Sequence, residues 1–455
     1  CGTHAVDAVF TASTGASVSA ADSFTIGAGP EGGACPSGAF APAAEAGTTD
    51  RAAGRHAPFV LRVARADGTR ELGTIEAALP EGLLAKLAGI PYCPDAALAA
   101  IPTAAGTGAA QLAAPGCPEA SRVGSVSVLA GVGSSPYPVE TGKAYLAGPY
   151  KGAPLSLAFV TPALAGPFDL GNSVVRTALH VDPVTARVRA VSDPLPTVLH
   201  GVPLRLREVR VLLDRPGFTL NPTSCAPKQI GVTVGSADGA SASSGSPFQA
   251  TFCRALGFRP RLALRLRGGT KRGRYPALTA TLRMGPGEAA IRRASVALPR
   301  SEFLAQENIR TICTRAQWAA DTCPRAAIYG QAEAVTPLLD EPLRGPVYLR
   351  SSNNQLPDLV ADLRGQIRIE LVGRIDSFRR GIRTTFEMVP DAPVTKFVLR
   401  MQGGRKSLLV NSRDICRRTH RATVQMDAHN GRGHDFQPAL VPACRTKASR
   451  AHQAR

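Results

Sequence analysis

Apolar residues recur at every second position through much of this chain. Leu262, Leu264 and Leu266 alternate with Arg261, Ala263, Arg265 and Arg267, while Ile367, Ile369 and Leu371 alternate with Arg368 and Glu370. Phe397 and Leu399 alternate in the same way with Val398 and Arg400. A period of two sends one set of side chains to a core and the other to water, the pattern of an antiparallel sheet with a solvated face. Turn dipeptides punctuate these runs at Asp67–Gly68, Gly268–Gly269, Asn353–Asn354 and Gly403–Gly404, as in β-sandwiches. Helical spacing is confined to Glu81–Leu87, Asp95–Ala100 and Thr314–Ala320, a turn or two each. Long crossover helices are missing from the pattern, which argues against an α/β fold. The expectation is an all-β chain of tandem antiparallel β-sandwich repeats with short helical turns.

The chain also repeats itself. Ala77–Ala78–Leu79–Pro80, Cys93, Cys117–Pro118, Val123–Gly124 and Ala144–Tyr145–Leu146 are followed in the same order by Val296–Ala297–Leu298–Pro299, Cys313, Cys323–Pro324, Tyr329–Gly330 and Val347–Tyr348–Leu349. Each series then reaches an Asn just before a Cys, Asn221 with Cys225 and Asn411 with Cys416. In both, the next Cys stands 28 residues on, at 253 and at 444. Cys1 and Cys35, with Phe10 and Phe24 between them, match the end of a third copy. This divides the chain into a repeat remnant with linker (1–50), repeat one (51–253), repeat two (254–444) and a basic tail (445–455). Two sandwiches per repeat, meeting near 143 and 346, would suit the repeat length. Cys1 then reads as a mid-repeat disulfide partner in a longer array rather than as a lipid-modified N-terminus.

Repetition predicts five disulfides: Cys1–Cys35, Cys93–Cys117, Cys225–Cys253, Cys313–Cys323 and Cys416–Cys444. An even cysteine count in ordered pairs points to an oxidising compartment, hence an extracellular or cell-surface location. His4 near Cys1 and His420 near Cys416 lack the second ligand pair a zinc site needs. The longest apolar run, Leu155–Gly166, is interrupted by Thr161 and Pro162 and falls short of the ~20 residues of a membrane span.

Composition adds one functional cue. Of 53 Lys+Arg and 34 Asp+Glu in 455 residues, 36 and 16 lie in residues 254–455, leaving 17 and 18 in residues 1–253. The net charge of +19 therefore belongs to the second repeat. Arg261, Arg265, Arg267, Lys271, Arg272 and Arg274 form one cluster, Arg379, Arg380 and Arg383 a second, and Arg405 with Lys406 a third. Such a surface attracts anionic polymers, here an anionic cell-envelope polysaccharide. Aromatics are sparse at 5%, and with the disulfides this argues against a nucleic-acid partner.

Catalytic motifs do not emerge. Gly27, Gly29 and Gly32 spell Gly-x-Gly-x-x-Gly, but Pro30 and Pro36 crowd the region and no helical period follows, so a loop is expected. His429 and His434 with Asp427 and Asp435 sit where the other copies have a turn, so a hairpin tip is expected rather than a metal site. There is no Gly-x-Ser-x-Gly, His-Glu-x-x-His or phosphate-binding loop. The reading is no enzyme, no cofactor and no metal.

The repeat motif resembles that of an uncharacterised tandem-repeat family of large predicted secreted proteins from high-GC actinobacteria. The likeness rests on Gly345–Pro346–Val347–Tyr348–Leu349, Leu356–Pro357–Asp358–Leu359, Thr384–Thr385–Phe386, Val389–Pro390–Asp391 and Phe397–Val398–Leu399 through Gly403–Gly404 to Leu408–Leu409–Val410–Asn411. It implies export and modular repetition and carries no catalytic residue. The functional expectation is a non-enzymatic structural or adhesive surface protein. The alternative is a carbohydrate-binding module or glycan-active enzyme on a sandwich scaffold, which exposed aromatics beside two close carboxylates would favour.

Overall fold

The computed structural model describes residues 2–28, 40–378 and 381–444. The chain is all-β, with 51% of the described residues in strands and 7% in helices. Two large sheets dominate. The first runs from edge to edge through Ser241–Phe248, Lys228–Ser236, Leu72–Ala78, Val188–Ser192, Phe168–Val181 and Leu155–Ala165. It continues through Tyr137–Ala147, Arg122–Ala130, Leu206–Leu213, Phe59–Ala64 and Ala43–Thr48. The second runs through Gly433–Phe436, Thr423–Ala428, Ile291–Ala297, Gly381–Phe386, Arg368–Phe378 and Asp358–Arg364. It continues through Leu343–Arg350, Ile328–Val335, Lys396–Met401, Ala277–Arg283 and Arg261–Arg267, and adds Ala439–Pro442 and His420–Arg421 at that edge. Strand for strand, the first eleven positions follow the same permuted order in both sheets, so the repetition in sequence is repetition in topology.

Residue 143 lies within Tyr137–Ala147 and residue 346 within Leu343–Arg350, and both strands pair on either side. The division expected there does not occur: each repeat is built on one continuous curled sheet. In the first, the edge strands meet where the Ala46 N–H donates to Ser246 Oγ at 2.9 Å. In the second, Leu262 and Leu282 pack on the cluster of Ile291, Val424 and Met426 from the opposite edge.

The shared motif residues do the same work twice. Register shifts between Arg122 and Gly124 and between Ile328 and Gly330 mark matching irregularities. A Cβ on Gly124 would lie 2.0 Å from the Leu212 carbonyl oxygen, and one on Gly330 2.6 Å from that of Arg400. Only a residue without a side chain lets those strands approach. Asn221 Nδ2 donates to the carbonyls of Asp50 (2.7 Å) and Ala52 (3.0 Å), and Asn411 Nδ2 to those of Gly269 (2.7 Å) and Lys271 (3.2 Å). The Asn-before-Cys therefore pins the loop that follows the first strand of each sheet.

Four of the expected disulfides are present, Cys93–Cys117, Cys225–Cys253, Cys313–Cys323 and Cys416–Cys444; Cys1 and Cys35 lie outside the described residues. The Cys93 and Cys313 N–H groups donate to the Leu146 and Leu349 carbonyls, each at 2.8 Å, so both clamped segments are tied to matching strands. Helices Asp95–Ala99 and Arg315–Ala319 occupy them, the latter started by a Thr314–Gln317 capping box. Glu81–Leu87 is not helical. Leu84–Ala85 pairs instead with Thr219–Leu220, as Glu302–Leu304 does with Leu409–Asn411; tertiary pairing overrides a weak local preference.

The N-terminal hairpin, Gly2–Thr11 with Ser17–Ile26, pairs only with itself among the described residues. Val6 and Phe10 stand where spacing from Cys1 places the counterparts of Ile230 and Val234. The former two are 53% and 61% exposed, the latter 0% and 1%.

The two repeats are docked through polar contacts around an apolar seam. Leu87 N–H donates to the Leu338 carbonyl (2.8 Å), Glu370 N–H to that of Pro183 (2.7 Å), and Asn430 Nδ2 to that of Cys253 (3.0 Å).

Candidate functional site

The strands Arg261–Arg267, Ala277–Arg283 and Lys396–Met401 lie side by side. Their alternation turns Leu264, Leu266, Leu278 and Leu399 inward and leaves arginines on the outside. Register sets Arg261 opposite Arg283 and Arg283 opposite Lys396, and Arg265 opposite Thr279 and Thr279 opposite Arg400. Neighbouring strands are about 4.8 Å apart, so these side chains form a single basic field. Arg261, Arg265, Arg267, Arg283 and Arg400 are all exposed, and among the described residues no ion-pair partner of theirs is present. Lys396 alone of the group reaches a carboxylate, Glu333 at 3.7 Å. Lys271, Arg272, Arg274 and Arg405 extend the field as exposed loop residues, joined where Gly404 N–H donates to the Tyr275 carbonyl at 2.9 Å.

The sequence clusters are not all part of it. Arg383 pairs with Asp376 (Nε–Oδ1 2.9 Å) and lies 4.6 Å from the Phe378 ring centroid. That partnership raises the Arg383 pKa and lowers that of Asp376. Lys406 donates to the carbonyls of Ala326 (2.8 Å) and Ile328 (3.1 Å); it ties a loop to the sheet. Arg379, Arg380 and the tail lie outside the described residues. Arg283 escaped the sequence clusters because it stands alone in its segment; the alternation Leu278, Ala280, Leu282 is the signal that assigns it to the outer face.

Two carboxylates do come together, Asp362 and Glu370, which register places opposite each other beneath the Cys313–Cys323 clamp. Both are already engaged. Arg368 reaches Asp362 at 2.7 Å and Glu370 at 3.1 Å, Arg364 reaches Asp362 at 2.8 Å, and Trp318 Nε1 donates to Glu370 at 3.0 Å. Hydrogen bonding to Asp321 and then to Asp362 pushes the Arg364 pKa above its ordinary value, and Asp321 is held correspondingly low. Trp318 packs edge-on against Tyr348 at 5.6 Å. The corresponding region of repeat one is apolar, with Tyr145, Val160 and Leu98 under the Cys93–Cys117 clamp. The network is the polar counterpart of that apolar layer.

Among the described residues no group of three or more His, Cys, Asp or Glu is placed to hold a metal. His429 Nε2 donates to the Val389 carbonyl at 2.8 Å, and Asp435 accepts from Gln425 at 3.3 Å across the hairpin. Gly27 lies at a strand end, while Gly29 and Gly32 fall outside the described residues. Among the described residues no helix is long and apolar enough to cross a membrane.

The second feature is internal. A chamber of about 480 Å³ lies between the repeats. Repeat one contributes Leu84, Leu155, Leu179 and Phe218 to its walls, and repeat two contributes Leu278, Phe386, Phe397, Leu399 and Met426. Leu278, Ala280, Leu282 and Leu399 point inward yet are only half-buried, because they face unfilled space. A second cavity of about 220 Å³ lies within repeat one and shares Leu84, Ala85, Leu179, Val188 and Phe218 with the first.

These features define a disulfide-clamped, all-β tandem-repeat protein with a basic outer face and an apolar interior chamber. The four disulfides are consistent with an extracellular or surface location. No family model matches the chain. No curated protein matches it either. Among solved structures, that of a "Putative membrane anchored protein" from Corynebacterium diphtheriae aligns with 96% of this chain and 94% of its own, at 10% identity and a TM-score of 0.19. At that score nothing about this chain follows from the likeness.

Proposed function

We propose that this chain is a non-enzymatic structural or adhesive repeat protein of the cell surface, whose second repeat binds anionic envelope polysaccharide. The observation that carries the reading is the outer face of Arg261, Arg265, Arg267, Arg283 and Arg400, five exposed guanidiniums with no carboxylate within ion-pair distance among the described residues. Unpaired cations held at strand spacing keep a local positive potential that paired ones lose. A sheet face sets their backbone positions at strand spacing, so the guanidiniums can meet successive charges of a polyanion lying across it. Arginine also offers a planar fork for phosphate or carboxylate oxygens.

The test uses the intact oxidised chain and a purified teichoic-type phosphodiester polymer titrated at low and high salt. Binding is expected to weaken steeply with salt, and replacement of all five arginines by Gln is expected to abolish it at the higher salt while leaving the fold intact. Undiminished binding by the folded variant rules out this face.

A further inference from the structure

We propose that the chamber between the repeats is a binding site for the acyl chain of an anionic single-chain amphiphile, with its head group held at Arg283 and Lys396. Ligand pockets usually run about 300–1,000 Å³, and the chamber, at about 480 Å³, falls in that range. Its walls are aliphatic and aromatic, and its polar lining residues are Thr336, Thr384, Thr395 and Glu288. Glu288 accepts the Gly285 N–H of its own turn at 3.0 Å. A cavity with so few polar partners does not hold ordered water and suits hydrocarbon.

Charge stands beside the chamber. Met284 and Thr395 both line the chamber, and the Met284 N–H donates to the Thr395 carbonyl at 3.1 Å. Their immediate neighbours, Arg283 and Lys396, are opposite each other in register on the outer face. The Gly285–Pro286–Gly287 turn between them and the next strand is exposed. Apolar volume therefore meets Arg283 and Lys396, the latter 3.7 Å from Glu333, at one end of these adjacent strands, the arrangement an acyl chain with a charged head requires. A neutral hydrocarbon would leave Arg283 without an anionic partner among the described residues. A polymer without a tail would leave the chamber empty.

The probe is cis-parinaric acid, a polyene fatty acid whose fluorescence rises in apolar surroundings, added to the delipidated intact chain. Saturable binding of one molecule per chain is expected, displaced by palmitate and by hexadecyl phosphate; whichever competes better identifies the head as carboxylate or phosphate. Arg283→Gln with Lys396→Gln is expected to weaken palmitate about tenfold, the value of one charge-assisted contact, and to leave hexadecanol unchanged. Ala280→Phe and Ala334→Phe, which fill the chamber, are expected to abolish probe binding while polymer binding persists, separating this site from the outer-face reading. Absence of a fluorescence rise overturns the proposal, as does a rise retained in a folded chamber-filled variant. Should those variants fail to fold, the unaltered chain decides: palmitate must raise its melting temperature, and no shift overturns the proposal.

Discussion

The carboxylate of Asp391, in repeat two, accepts the hydroxyl of Thr223, in repeat one, at 2.5 Å. Its other oxygen accepts the Thr223 and Ser224 N–H groups at 3.0 and 3.2 Å, and the Thr223 hydroxyl accepts from the Ala290 N–H at 3.1 Å. Asp391, Thr223 and Ser224 are all buried. Gly82, at φ +88°, lies against the same carboxylate; a Cβ there would sit 2.6 Å from Asp391 Oδ2. One side chain from repeat two thus supplies the acceptors for two backbone N–H groups and a hydroxyl of repeat one.

Asp391→Ala leaves two N–H groups and a hydroxyl buried without acceptors, each worth about 1–3 kcal/mol. A loss of about 3 kcal/mol is expected, together with uncoupling of the repeats. Calorimetry should show two transitions in place of one. Fluorescence of Trp318, the single tryptophan and a repeat-two residue, should follow only one of them. A single transition at the original temperature counts against the coupling.

Stability is also expected to depend on pH through Glu302. This residue is fully buried at the position that Leu83 holds in repeat one, three residues after the Leu-Pro pair. Burial raises its pKa from 4.5 to about 7 against the opposing Ser301 hydrogen bond and the Arg413 charge. Glu302 Oε1 and Asn411 Oδ1 are both buried without a partner, and register sets the two residues opposite each other. The acid proton is a donor this pair can itself supply. Because the folded value lies above the unfolded one, the folded state holds the extra proton, and stability falls as pH rises from about 4.5 to 7. The loss is about 3 kcal/mol. Denaturation of Glu302→Leu should show no such slope, with higher stability above pH 7; an unchanged slope rejects the assignment.

The two loop-pinning asparagines provide a matched pair. Each Nδ2 bridges two carbonyls, but Asn221 Oδ1 also accepts from Thr48 Oγ1 at 2.9 Å, whereas Asn411 Oδ1 has no partner in the described structure. Asn221→Ala is therefore expected to cost about 1 kcal/mol more than Asn411→Ala in urea denaturation above pH 7, where Glu302 no longer carries the proton that could satisfy Asn411 Oδ1, one buried hydrogen bond's worth. Equal losses refute the difference.

Disulfide removal should rank by loop length. Separations of 10 (Cys313–Cys323), 24 (Cys93–Cys117) and 28 (Cys225–Cys253) correspond on the chain-entropy relation to about 2.7, 3.5 and 3.6 kcal/mol. Paired Cys→Ala variants compared by denaturant midpoint test the order. The smallest effect is expected for the 10-residue separation, and a larger loss there than at Cys225–Cys253 overturns the ranking.

The amino-acid sequence by itself determined the repetition, the strand-forming alternation and the pairing of eight described cysteines, because each is a matter of local spacing or of order along the chain. Leu262, Leu264 and Leu266 declare an inward face whatever packs against them, and Asn221 and Asn411 declare equivalent turns by their distance to a Cys. Tertiary structure alone decided what depends on register and on long-range contact. It separated Arg283 and Arg400, set beside Arg261 and Arg265 by strand pairing, from Arg383 and Lys406, which neighbours neutralise or tie down. It made Glu302 a buried acid where the homologous position is leucine, and it placed two carboxylates, Asp362 and Glu370, under arginines instead of in an open cleft. The chamber was illegible for the same reason. Its wall residues follow the same alternation as core residues, and a void is a property of how facing surfaces fail to meet, which no single strand encodes.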